Sequence, residues 1–144
     1  MSLSRMITLA PLAAGADLAF LALRAATGAF LIWGVWDNIS SAEHMAIFVG
    51  FLRQHGFPAP ELLAPFDVWL QFAIGALFIL GLGTRWAGLA CAVNFVIAIV
   101  MVDHLQGWRG SFGSQCLVGI GLVLATHGPG RFSLDSRLAR PAAG

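Results

Sequence analysis

Six polar side chains are set into otherwise apolar stretches of this 144-residue chain: Arg24, Asp67, Gln71, Asn94, His104 and Gln115. Arg24 lies about seven residues, or roughly 10 Å, into its stretch, where a charge costs at least a few kcal/mol unless it is paired or hydrated. Guanidinium is weakly hydrated and can hold several oxygens at once, so two roles are open to it. It can tie helices together and snorkel to the headgroups, or stand as an inward-facing cation that takes an anion or a carbonyl oxygen. Asp17 and Thr27 share its helical face, but Asp17 reaches it only at full stretch or through a water. Asn94 falls at nearly the same depth in a segment running the same way, which predicts an Arg24–Asn94 hydrogen bond. Asp67 and Gln71 are four residues apart on one face, and Gln115 and His104 fall at similar heights. These four either form a polar pocket or act as interhelical glue worth on the order of 1 kcal/mol each. Asp103 points away from Asn94 by helical phase, which leaves it outside that group.

Other chemistries find no residues. No two histidines share a mid-stretch level, which leaves no bis-histidine haem ligation, and His104 and His127 fall at opposite ends. HExxH, GxGxxG and P-loop patterns are absent, and no Ser–His–Asp set can be assembled. Cys91 and Cys116 form no CxxC and sit at different depths in separate stretches, as packing residues do. The net charge is +1, which offers nucleic acid nothing. All eight basic residues are arginine, a bias that either suits headgroup and buried sites or reflects GC-rich coding.

The elements that position these side chains follow from composition. Hydrophobic residues make up 58% of the chain and charged ones 10%, against roughly 25% charged in a soluble domain. With a mean hydropathy of +0.82, the solvent is largely lipid. Four apolar stretches, at about residues 17–36, 66–82, 86–102 and 111–126, each approach the ~20 residues that cross a bilayer. Backbone polar groups in lipid must be satisfied within the segment, so these read as helices. The expectation is one all-α domain over residues 1–144, a bundle of four transmembrane helices. Gly81–Arg85 makes a tight hairpin, residues 106–110 join the last two helices, and Gly128-Pro129-Gly130 ends the fourth. In the long loop, Ser40 and Glu43 have capping-box spacing, and residues 41–55 alternate as a short amphipathic helix. It lies on the membrane surface or closes the bundle mouth as a lid. The pairs Ala22/Ala26, Gly88/Ala92 and Gly121/Ala125, with Gly28, Gly75 and Gly119, mark close helix packing. Five tryptophans fall near helix ends as interfacial anchors. Arginine placement, five on the side of the termini (Arg5, Arg85, Arg131, Arg137, Arg140) against Arg53 and Arg109, predicts cytoplasmic termini. Arg5 and the apolar residues 6–16 also carry a faint signal-peptide pattern, short and broken by Pro11.

Four segments together resemble the DoxX family of small bacterial membrane proteins: residues 24–34 (RAATGAFLIWG), 51–60 (FLRQHGFPAP), 71–85 (QFAIGALFILGLGTR) and 128–135 (GPGRFSLD). The likeness runs over about residues 21–138. It implies a multi-pass four-helix fold in the bacterial inner membrane and a link to redox chemistry, since relatives include a subunit of thiosulfate:quinone oxidoreductase and a membrane component of a thiol and oxidative-stress complex. Many relatives carry glutamate where this chain has Gln71, a departure that weakens an acid-dependent role at that position. The function implied is a membrane subunit of a redox-linked, quinone-interacting complex with no self-contained electron-transfer site. Arg24 and Asn94 would hold a quinone carbonyl or an anionic intermediate, Gln71 would orient it, and a soluble or membrane partner would carry the electrons. The alternatives are a non-catalytic scaffold for a soluble enzyme and a small transporter, as a monomer or a homo-oligomer.

Overall fold

A computed structural model of the chain describes residues 10–139. Arg5, Arg140 and residues 6–9 of the segment with the signal-peptide pattern lie outside those residues. After a 3-10 turn over Ala10–Gly15, the chain forms α1 (Ala16–Ser40), α2 (Ala42–Gln54), α3 (Pro60–Leu80), α4 (Thr84–Met101), a second 3-10 turn (Asp103–Gln106), α5 (Gly107–His127) and the short α6 (Leu134–Leu138). Among the described residues there is no strand. Leu12–Ser40, α3 and α4 are long and apolar enough to cross a membrane. α5 matches α3 in length at 21 residues, about 31 Å, but its first half carries Arg109, Ser111, Ser114 and Gln115 and is less apolar. The architecture is a helical membrane bundle of four long helices.

Helix ends depart from expectation where local chemistry overrides hydropathy. α1 continues to Ser40, and Ser41 caps α2 by accepting the His44 amide at 3.4 Å. The expected Ser40–Glu43 capping box therefore does not form. α3 begins six residues before the apolar stretch because Pro60 occupies its first turn, where a missing N–H is harmless. The carbonyl of Ala59 then accepts the amides of Leu62 and Leu63 at 2.9 and 3.1 Å. Pro65 lies within α3, as transmembrane helices tolerate.

The bundle consists of two tight helix pairs, α1 with α3 and α4 with α5. Glycines set both contacts. A Cβ on Gly28 would lie 2.5 Å from the Gly75 carbonyl oxygen, and one on Gly88 would lie 2.6 Å from that of Gly121. Backbones this close allow dense van der Waals contact, the main attraction between helices in lipid. Ala92 and Ala125 extend the second contact, as their spacing predicts. Ala22 and Ala26 are instead exposed, and Gly119 has nothing within 4 Å of a would-be Cβ. The two pairs meet in a core of Leu31, Ile74, Phe78, Ala87, Cys91, Leu117 and Leu124. Trp33, Trp36, Trp69, Trp86 and Trp108 are all exposed on the bundle surface.

Candidate functional site

Arg24 is 1% exposed, and its guanidinium serves the chain itself. Nη1 donates to the carbonyl oxygen of Pro129 at 2.5 Å and Nη2 to that of Phe132 at 2.6 Å. Around it the terminal segment is clasped to the bundle. The Arg131 amide donates to Asp17 Oδ1 at 3.0 Å, and Ser133 caps α6 by accepting the Ser136 amide at 3.1 Å. Asp135 accepts the Gly83 and Thr84 amides at 2.8 and 3.0 Å, so its carboxylate caps the N-terminus of α4. Burial works against the charge on Asp135, but these backbone hydrogen bonds, with Arg24 nearby, hold its carboxyl below the usual range. Arg85 closes the C-terminus of α5 by donating to the carbonyls of Ala125, Thr126 and His127 at 2.9, 2.6 and 3.3 Å. His127 stacks on Phe20 with ring centroids 4.1 Å apart.

The predicted Arg24–Asn94 bond does not form, because the two helices do not start level. Helical side chains lean toward the N-terminus, and the Arg24 guanidinium lies against Gly81, just before α4 begins. Asn94 is ten residues into α4, about 15 Å further along the bundle. The carbonyl oxygens that Arg24 takes are those of its own chain.

At the other end, α2, α3 and α4 enclose a cleft of about 500 Å³. Its walls are apolar, with rings of Phe48 and Phe51 from α2, Phe57 from the α2–α3 link, Phe66 from α3 and Phe95 from α4. Asp67, Gln71, Asn94, Asp103 and Gln106 supply the polar lining. Gln71 Nε2 donates to Asp67 Oδ2 at 2.8 Å, and the Asn94 side chain faces the same carboxylate. Asp103 accepts from the Ser114 hydroxyl and from Gln106 Nε2, the latter at 3.4 Å. α2 forms one wall of the cleft with Leu52 buried, which favours the lid over the surface-lying alternative. An exposed Arg53–Glu61 ion pair ties its end to the start of α3.

The structure therefore brings together Asp67, Gln71 and Asn94, and separates the other three candidates from them. Gln115 Nε2 donates one turn back to Ser111 Oγ at 2.7 Å, and exposed His104 contacts the Ile99 carbonyl at 3.3 Å. Neither lines the cleft. Asp103 does, although helical phase pointed it away. α4 ends at Met101 and the following 3-10 turn redirects the chain, so α-helical phase no longer applies at residue 103. The cleft's aromatic walls were also missed, since phenylalanines in apolar segments carry no positional signal of their own. Cys91 is buried and Cys116 exposed, and both are free.

Fold and cleft together define a small multi-pass helical membrane protein with a ligand-sized recess at one end. The family model described as DoxX matches residues 19–104, and the chain belongs to the DoxX family. It is 31% identical over 107 residues to the uncharacterized membrane protein Rv3486 of Mycobacterium tuberculosis, a match covering 65% of this chain and 66% of that protein. The chain thus spans just under two thirds of that relative's length. No solved structure matches the chain.

Proposed function

We propose that this chain is the membrane subunit of a redox-linked complex, and that the α2–α3–α4 cleft binds the ring of a lipid-soluble quinone while a partner subunit carries the electron chemistry. The cleft is the observation that supports this reading. Its volume of about 500 Å³ lies within the roughly 300–1,000 Å³ of small-ligand sites. Aromatic rings suit stacking on a flat ring, and the Asp67–Gln71–Asn94 group gives an apolar ligand a polar end to orient against. Phe66 is 63% exposed and Phe51 39%, so the mouth opens on the lipid side, where such a ligand and its tail reside. A bound quinone supplies two-electron, two-proton chemistry; the chain's residues bind and orient it. Arg24 has no part in this site, because it does not line the cleft and its guanidinium holds the clasp at the other end of the bundle.

We further propose a bacterial inner-membrane location with both termini cytoplasmic. Among the described residues Arg85, Arg131 and Arg137 lie at the terminal end and Arg53 and Arg109 at the other, the asymmetry that retains a segment on the cytoplasmic side.

The test is extraction. Protein purified from its native membranes in mild detergent should retain quinone near one per chain, measured by mass spectrometry of the organic extract. Ala98→Phe, which fills the cleft, should reduce that amount severalfold at unchanged yield. Recovery of neither quinone nor a redox partner would sink the proposal.

A further inference from the structure

We propose that the cleft selects the reduced, hydroxyl-bearing form of its ring ligand over the carbonyl-bearing form; this rests on the quinone reading and deepens it. The inference comes from which hydrogen-bonding groups are already committed. An ionised carboxylate only accepts, so the amides beside Asp67 and Asp103 must turn their nitrogens toward the acids. Gln71 Nε2 is committed to Asp67 Oδ2 at 2.8 Å and Gln106 Nε2 to Asp103 Oδ1 at 3.4 Å. The Ser114 hydroxyl is committed to Asp103 Oδ2, and the Asn94 side chain faces Asp67. No arginine, histidine or tryptophan lines the cleft, and the backbone N–H groups of α3 and α4 are held within their helices. What remains for a ligand is mostly acceptor capacity, the free lone pairs of two carboxylates and the side-chain carbonyl oxygens of Gln71 and Gln106; the side-chain donors left in the lining are amide N–H groups of Gln71, Asn94 and Gln106, which sit beside those carboxylates.

A ligand carbonyl meets that lining oxygen against oxygen. If it reached a free N–H of Gln71, Asn94 or Gln106, it would still lie beside the carboxylate that the same amide faces. A ligand hydroxyl donates to any of these acceptors. Sites that hydrogen-bond a ligand hydroxyl discriminate strongly against analogues lacking it. In a cleft open on one side the expected preference is about tenfold or more, because leaving a desolvated polar group unpaired carries a penalty of about 1–3 kcal/mol.

The experiment compares a short-tailed benzoquinone with its hydroquinone, held anaerobically, by equilibrium dialysis against the purified full chain in detergent. The hydroquinone should bind with a Kd at least about tenfold lower. Asp67→Asn replaces an acceptor by a group with an N–H to offer, and should narrow or invert that ratio. Asp103→Asn, nearer the cleft rim, is the second variant should the first unfold, and should narrow the ratio as well. Equal or tighter binding of the quinone by the wild-type chain overturns the inference and leaves the quinone reading standing. So does a ratio that a folded variant leaves unchanged. If neither form binds, the quinone reading itself falls, and the inference with it.

Discussion

Replacing Arg24 by methionine removes the centre of the clasp and keeps the side chain's apolar length. Two charge-assisted hydrogen bonds, to Pro129 and Phe132, contribute about 1.5–3 kcal/mol each, or about 3–6 kcal/mol together. Removing the buried charge returns part of this, because desolvating it had cost several kcal/mol. Two carbonyls are then left without donors, so the net loss should be about 2–4 kcal/mol, in line with deleting one partner of a buried polar pair. For a chain of this size that corresponds to a fall in apparent Tm of roughly 10 °C, read by thermal shift in detergent. The loss should be localised. Exposed Arg131 and Arg137 are tryptic sites in the clasped segment, and they should become cleavable well below the melting temperature. Arg24→Lys, whose ammonium cannot span both carbonyls as the planar fork does, should fall in between. Two results would refute this account. One is an unchanged melting temperature and tryptic pattern; the other is loss of quinone at unchanged stability, which would return Arg24 to the ligand site.

Gly81→Ala should be at least as damaging per atom added: its Cβ would lie 2.6 Å from Arg24 Nη1 at a φ of +66°, where any side chain already costs about 1–2 kcal/mol. Lower expression and melting temperature with a freed terminal segment are expected. Gly88→Ala should loosen the α4–α5 pair, since its Cβ would meet the Gly121 carbonyl at 2.6 Å, at a cost of about 1–3 kcal/mol. Gly119→Ala, with open space around it, is the control and should melt like the wild type. Asp135 gives a pH signature. Its pKa is lower in the folded protein than unfolded, so its stabilisation is present above the unfolded value of about 4 and lost as pH falls through the folded value. The gap in Tm between wild type and Asp135→Asn should be widest near neutrality and close as pH drops below about 4; a constant gap down to pH 3 would contradict the cap.

The helices were legible because length and hydropathy act on whole segments, and a few residues either way do not change the sum. Individual ends were not, because one cap or proline decides them. Pro60 reads as a breaker in sequence, yet at a helix's first turn it is a starter. Depth was legible within a helix and not between helices. Arg24 and Asn94 appear level only if α1 and α4 begin together, and the offset is fixed by the Gly81 turn lying against Arg24. Asp67 and Gln71 could be paired from their spacing, since a four-residue interval on one helix survives any packing. Gln115 has the same kind of local partner in Ser111, which withdraws it from the cleft. The clasp is tertiary, joining residues more than a hundred positions apart, and no local pattern announces it.

The residues that carry the family resemblance most specifically, Arg24, the Gly81–Arg85 turn and residues 128–135, gather at the clasp, and the cleft lies at the opposite end. Variants in the clasp therefore act by loosening the bundle's terminal end, and any loss of activity in them says little about chemistry. The cleft is where chemistry can be probed with the fold intact, and there Gln71 has a carboxylate beside it. Asp67 stands one turn away on the same face and accepts directly from Gln71. Its backbone position lies about 6 Å along α3 from that of Gln71, toward the end that α2 covers, with the amide holding its carboxylate. A carboxylate so held keeps an acceptor facing the cleft, and in the proposed quinone site Gln71 acts through Asp67 as a positioning residue.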